Sequence, residues 1–411
     1  MPAPSASNAP VPAGSPGRRA RGPAAARLGR RSEKLDAQDS AERIEIAEVA
    51  PLPDDVDDLP ETDAADETDV EAAASVALTQ PVEANEDAEP ERAMRPKSFA
   101  DFIGQARALR NLRVAVKAAL QREEALDHIL LSGPPGLGKT TLAEIVAAEL
   151  GKRCLRTSAP SIERGGDLVG LLTECQPGDV LFIDEVHRLR PQFEELLYSA
   201  MEDYIIDIRI GQGPGSKTVP IPVQPFTLIG ATTREGLLSR PFLDRFGIPI
   251  KLEYYSAAEM SEILLRDAEL LQVPIANDAA LEVGRRSRYT PRIAIRLLMR
   301  LRDFALVEGD GKISLKLARH ALDDLAVDQH GLNDIDRKIL RSLADHGDQA
   351  VGLKQIAAVV GEEPDTIEEV YEPFLLREGF LLRTPRGRLA TAKAFKLLGE
   401  SLKNPGLFSE K

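Results

Sequence analysis

Cysteine is nearly missing from this 411-residue sequence: only Cys154 and Cys175 occur, with no CxxC spacing and no His/Cys cluster around them. That argues against a zinc site, and two buried free thiols are the plain reading. No run of about 18 apolar residues exists, so no membrane span is expected. No apolar signal-peptide core follows the start, which argues against secretion. The expected location is the cytoplasm, where so few cysteines are at home. Aromatic residues are absent from 1–90, and Lys and Arg are absent from Ile44 to Glu91, where 17 Asp and Glu fall. Such a stretch cannot bury enough apolar surface to offset its ordering entropy, so 1–91 is expected to be a disordered extension, Ala/Pro-rich and then acidic. Its Arg/Ala/Pro/Ser-rich beginning also admits an organelle transit peptide, although a plain tail is the simpler account.

The formal net charge of −14 looks wrong for a partner of nucleic acid. The acidic block accounts for it, and 92–411 is close to neutral. Local basic patches on a neutral body still bind phosphate backbones, because the local field matters more than the sum.

Composition changes abruptly near Arg95. Three apolar segments, HILLS (128–132), DVLFID (179–184) and FTLIGAT (226–232), read as buried strands, with a helix over Thr140–Leu150. Near-continuous apolar strands alternating with helices predict a parallel sheet covered on both faces. After Tyr255 the pattern is helical only, over Met260–Leu271, Ala279–Arg286 and Pro291–Val307. From Gly331 three helices precede two short strands, Phe380–Arg383 and Arg388–Ala390, around Thr384-Pro385-Arg386-Gly387. That order is a winged helix. The predicted domains are 92–255 (α/β), 256–330 (helical), 331–402 (winged helix) and a tail over 403–411. Tyr204–Val223 alternates apolar and polar residues around a Gly-rich turn and predicts a projecting hairpin.

Gly133-Pro-Pro-Gly-Leu-Gly-Lys-Thr-Thr141 fits G-x-x-x-x-G-K-[ST] between a strand and a helix. Backbone N–H groups of such a loop turn inward around phosphate, and the helix presents its positive end to it. Lys139 should reach the β- and γ-phosphates of ATP, and the hydroxyl of Thr140 should ligate Mg²⁺. Asp184-Glu185 ends a strand: Asp184 would hold the Mg²⁺ shell, and Glu185 would orient and activate the attacking water. At the end of the third strand Thr233, with Thr232 as the alternative, can touch the γ-phosphate or that water. His187 reads as a structural histidine. Arg245 and Arg292, on position alone, read as surface charges.

These segments, taken in order, resemble the RuvB family of AAA+ branch-migration ATPases. The resemblance rests on RPKSFADFIGQ (95–105), GPPGLGKTTLAEIVAAELG (133–151), DVLFIDEVHRL (179–189), YSAMEDYIIDIRIGQGP (198–214), PFTLIGATTREG (225–236), DRFGI (244–248), YTPRIAIRLLMRLRDFA (289–305) and EGFLLRTPRGRLAT (378–391). It covers about 92–400 and implies a P-loop AAA+ domain, a helical lid and a winged helix. It implies that Met94 and Arg95 contact the adenine end, that Gly136, Lys139, Thr140 and Thr141 bind phosphate, and that Glu202, Asp203, Tyr204 and Tyr255 lie near the nucleotide. Arg245 looks like an arginine finger acting on a neighbouring subunit, and Arg292 like the sensor of nucleotide state in the lid. Arg383 and Arg388 match DNA-contacting arginines of the wing, with Arg386 a third candidate. Ile206, Ile208 and Ile210 fall in the hairpin that docks a RuvA-type protein. The implied assembly is a homohexamer on duplex DNA at a four-way junction, with a RuvA-type partner and a RuvC-type resolvase, driven by ATP and Mg²⁺. Two departures stand out: Leu243 replaces a frequent Arg, and Ile295 a common Asn. The rival readings are a clamp-loader-type switch, which gives no reason for a winged helix, and a nucleotide-sensing transcriptional regulator, which predicts one preferred DNA sequence.

Overall fold

The structure, a computed structural model, describes residues 91, 93–210 and 217–399. The extension over 1–90, the hairpin turn over 211–216 and the tail over 403–411 lie outside the described residues, as do the expectations placed on them.

Helix α1 (Ala106–Arg122) leads into β1 (Ile129–Ser132), α2 (Lys139–Leu150), β2 (Cys154–Ser158), α3 (Gly165–Glu174), β3 (Val180–Asp184) and α4 (Pro191–Glu202). A hairpin, β4 (Ile205–Ile210) and β5 (Lys217–Pro222), precedes β6 (Thr227–Thr232), the short α5 (Arg240–Leu243) and β7 (Ile248–Lys251). Strands β2-β3-β6-β1-β7 form one parallel sheet in that order. The three apolar segments supply its centre: β1 and β6 are buried at every position, because helices cover both faces. The edges, β2 and β7, are half-buried and carry Arg156 and Lys251, so their sequences show no continuous apolar run. The order places the carboxyl ends of β1, β3 and β6 side by side, with Ser132 opposite Thr232. In open α/β sheets ligands bind at such carboxyl ends.

Next come α6 (Ala257–Leu270), α7 (Asn277–Arg286), α8 (Pro291–Val307) and α9 (Leu315–Asp324). Ser256 and Glu259 form a reciprocal capping box that fixes where α6 begins. One apolar core runs without a break from the sheet (Ile129, Leu131, Phe182) into these helices (Met260, Leu264, Leu297). The winged helix follows: α10 (Asp334–Asp345), α11 (Leu353–Val360) and a third helix made of Pro364–Thr366, a π turn at Ile367–Tyr371 and Glu372–Arg377. The antiparallel ribbon β8 (Leu381–Thr384) and β9 (Gly387–Ala390) and a last helix (Ala392–Leu398) complete it around a core of its own.

The lid and the winged helix are joined by buried charge. Arg288 (3% exposed) pairs with Asp336 (0%) and donates from Nε to the Gly331 carbonyl at 2.9 Å. Asp336 also accepts from the Asn333 backbone N–H at 2.8 Å, within the capping box of α10. Arg377 lies between the rings of Tyr254 and Tyr289, 4.5 and 4.6 Å from their centroids, and the Tyr289 hydroxyl donates to Glu378 at 2.6 Å. Arg288 and Tyr289 both sit at positive φ, 53° and 61°. Two such residues in succession persist only where the surroundings hold them. Among the described residues no helix is long and apolar enough to cross a membrane.

Candidate functional site

The loop after β1 begins with Gly133 and ends where Gly138 caps α2. Gly136 has φ +76°, and a Cβ there would lie 3.3 Å from Cβ of Arg292. Only glycine permits both the left-handed turn and this approach to the start of α8. Lys139 opens α2 although only 8% exposed. A buried cation at the positive end of a helix breaks the usual electrostatic preference, which marks a place built for an anion. Its Nζ donates to the carbonyls of Gly133 and Pro134, both at 2.9 Å. Tyr255 supports the loop from beneath: it is 2% exposed and donates to the Leu137 carbonyl at 3.2 Å. Burial pushes its phenol pKa up, so it stays a neutral donor.

A cavity of about 940 Å³ opens above this loop. Met94, Arg95, Gly136, Lys139, Thr140 and Thr141 line it, as do Asp184, Glu185, Thr233, Tyr255 and Arg292. Asp184 Oδ1 accepts from the Glu185 backbone N–H at 2.8 Å. Glu185 has φ 48°, and its carboxylate accepts from Arg188 Nη1 at 2.8 Å. The two threonines at the end of β6 differ in their partners. The Thr232 hydroxyl takes a backbone N–H from Arg234 at 3.0 Å and meets His187 Nδ1 at 3.1 Å. Thr233 Oγ1 is buried with no hydrogen-bond partner among the described residues. A buried hydroxyl left single is costly, and Thr233 is one of the residues that line the cavity. His187 is held neutral by burial, which lowers its pKa, in keeping with a structural role. Among the described residues no group of three His, Cys, Asp or Glu could hold a metal ion.

Arg245 lies elsewhere. It does not line the cavity of its own chain. Its guanidinium stacks 4.3 Å over Tyr198, donates to the Pro241 carbonyl at 2.7 Å and meets Glu202 at 3.2 Å. Glu202, Asp203 and Tyr204 share that region and likewise stay out of the cavity lining. Of the hairpin isoleucines, Ile206 is fully buried in the core of its own domain, packed with Phe226 and Met201. The expectation that Ile206 faces a partner is therefore corrected: strand alternation turns Ile205, at 37% exposed, outward instead. Ile208 and Ile210 pair with Val219 and Lys217 in the ladder.

In the wing, Arg383 and Arg386 are exposed. Arg388 is not: it is 8% exposed and donates from Nη2 to Glu372, a buried carboxylate, at 3.1 Å. Arg388 and Arg383 pair directly across the ribbon and so share a face, but Arg388 lies against the buried Glu372 and its backbone bridges Val351. Arg388 therefore anchors the ribbon to the third helix rather than presenting its charge to solvent.

Three family models together cover most of the chain: the Holliday junction DNA helicase RuvB P-loop domain over 94–252, the RuvB AAA lid domain over 255–328 and the RuvB C-terminal winged helix domain over 329–399. The chain belongs to the RuvB family. The Holliday junction branch migration complex subunits RuvB of Lacticaseibacillus casei (strain BL23) and Lacticaseibacillus paracasei are each 54% identical over 321 residues, 78% of this chain and 95% of theirs. The solved Thermotoga maritima RuvB Holliday junction branch migration motor superposes with a TM-score of 0.69 at 48% identity, covering 75% of this chain and 99% of that one. As a RuvB-family subunit this chain is a P-loop ATPase of a branch-migration motor.

Several cavity residues of this RuvB-family chain escape a reading of its sequence. Arg188, next to the DE pair, carries a local signal, because an Arg three residues beyond Glu185 can reach back to it. Arg234, Asp365, Thr366 and Glu369 carry none: the last three come from the winged helix, far along the chain.

Proposed function

We propose that the chain works as one subunit of a homohexameric ring that drives branch migration of four-way junction DNA, with each ATP shared between neighbours. One observation carries this reading: Arg245 is fixed by three contacts at a distance from its own nucleotide cavity. A guanidinium held so firmly, and useless to its own ATP, fits a group lent to the next subunit. Glu202, Asp203 and Tyr204 belong to the same lending surface.

Within the cavity, Lys139 and the amides around Gly136 bind the phosphates, and Met94 and Arg95 take the adenine end. Glu185 holds the attacking water and accepts its proton, while Thr233 Oγ1 orients that water or the γ-phosphate. The Thr140 hydroxyl and the Asp184 carboxylate suit Mg²⁺, which is usually bound by one or two carboxylates together with substrate oxygens and not by a closed protein cage. When bound there, Mg²⁺ would neutralise charge developing on the phosphoryl oxygens. Arg292, packed against Gly136, reports the state of the phosphates to the lid.

Arg383 and Arg386 contact the DNA backbone, with Arg388 holding the ribbon in place. Phosphate contacts carry no sequence information, which suits a motor that moves along any duplex. Replacing both arginines, Arg383→Gln with Arg386→Gln, is expected to lower the slope of log K against log salt by roughly two, about 0.9 per lost contact. Arg388→Gln is expected to lower wing stability and leave that slope near native. Duplex titrations at several salt concentrations check both. A RuvA-type protein docks on the β4–β5 hairpin, and a RuvC-type resolvase acts on the same junction.

The test is migration of a synthetic four-way junction by the full chain with Mg²⁺ and ATP, with and without a RuvA-type protein. Junction movement that needs ATP, and that disappears with Lys139→Ala, is the expected result. Absence of movement in the complete mixture, or equal movement without ATP, overturns the reading.

A further inference from the structure

One carboxylate in the winged helix touches both ends of the machinery. Glu368 accepts from Arg383, the exposed arginine of the wing, and lies 3.5 Å from Arg388. On its other side it meets Arg234 at 3.4 Å. Glu369, next in sequence, meets Arg234 at 2.7 Å and itself lines the nucleotide cavity. Arg234 directly follows Thr233, a residue of the cavity lining whose hydroxyl is buried with no hydrogen-bond partner among the described residues. Both glutamates sit in the π turn Ile367–Tyr371, a rare local form that concentrates at functional sites. None of the groups is fully buried: Arg234, Glu368, Glu369 and Arg383 keep 31, 24, 32 and 55% of their side-chain surface. Ion pairs this exposed are weak, so a DNA phosphate can displace Glu368 from Arg383.

We propose that Glu368 and Glu369 link the wing to the phosphate sensor by charge competition. Without DNA, Glu368 is divided among Arg383, Arg388 and Arg234. When DNA takes Arg383, more of the carboxylate charge of Glu368 falls on Arg234, with Arg388 its only other partner among the described residues. That tightens the clasp at the end of β6 and fixes Thr233 in its position on the cavity. Arg234, Glu368 and Glu369 are thus positioning residues, and duplex and ATP favour each other's binding through them. The proposal rests on the reading of Arg383 as a DNA contact and goes beyond it by naming how that contact reaches the nucleotide.

The test uses the full chain, a non-hydrolysable ATP analogue with Mg²⁺, and a plain duplex. In the native chain, duplex and analogue should tighten each other by one and the same factor, about fivefold or more, since coupling between sites is reciprocal. In Glu368→Gln that factor should fall to near one. Duplex affinity without nucleotide should meanwhile rise about threefold, because Arg383 no longer has to leave a carboxylate. Glu369→Gln, which loses a contact to Arg234 only, should weaken the coupling without raising duplex affinity. Arg234→Gln should abolish the coupling from the other end. A merely structural role for Glu368 would lower thermal stability without this split between coupling and affinity. The proposal fails if Glu368→Gln keeps the native factor or the native duplex affinity, or if the native chain binds both ligands independently. A native chain that binds no duplex at all would instead remove the DNA-contact reading first.

Discussion

Arg245→Ala should keep an ATP affinity close to native and lower steady-state turnover by about 10³–10⁵, the range an arginine finger supplies in phosphoryl transfer. Affinity survives because Arg245 lies outside the cavity of its own chain. Turnover falls because the charge developing on the phosphoryl oxygens loses its cation from next door. Arg245→Lys should recover little, since an ammonium on a flexible stem cannot reproduce a planar guanidinium held by Tyr198, Glu202 and the Pro241 carbonyl. A mixing experiment separates lending from self-use. Lys139→Ala chains have a dead cavity and an intact Arg245, and Arg245→Ala chains have the reverse. Mixed assemblies should turn over ATP where either pure preparation does not. Native turnover by Arg245→Ala alone, or no recovery on mixing, would remove the shared site.

The second large effect concerns stability. Asp336→Asn should destabilise the junction of lid and winged helix by about 3–5 kcal/mol, because it strands the Arg288 guanidinium in the interior. Arg288 cannot shed its proton, so no pH relieves it. Arg288→Met should cost less in acid than in base. Burial already raises the Asp336 carboxyl pKa above the ordinary 3.8, and without the guanidinium it rises further. A carboxyl whose folded pKa exceeds its unfolded one contributes most at low pH and loses that contribution as pH rises through the folded value. The deficit of Arg288→Met relative to native should therefore shrink from pH 8 to pH 5, and that of Asp336→Asn should not. Denaturation midpoints of the three chains at both pH values decide it, and parallel behaviour of the two variants would show that the pair is not the anchor.

What could be read from the sequence follows a physical divide. The phosphate loop, the Asp184-Glu185 corner and the three central strands show themselves locally, because a strand buried on both faces must be apolar throughout and a phosphate loop must carry its glycines in order. The edge strands Cys154–Ser158 and Ile248–Lys251 do not, since half of each is wetted and the apolar run breaks. The turn at Thr232–Thr233 left two candidates until hydrogen bonding showed one of them engaged. Residues 383 and 388 look alike as arginines, and only the buried Glu372 of the third helix separates an exposed charge from an anchored one. Ile206 went astray for the same reason: alternation predicts two faces but not which one meets the domain. The contacts of Arg234 with Glu368 and Glu369 join positions more than a hundred apart, and no window along the chain contains both.

The packed seam of Arg288, Asp336, Tyr289 and Arg377 has a mechanical meaning. If the proposed function holds, a seam packed in this way would resist flexing and carry motion that arises where Arg292 abuts the phosphate loop on to the ribbon. The lid and winged helix would then act as a single crank, with its pivot at the nucleotide and its handle on the DNA backbone.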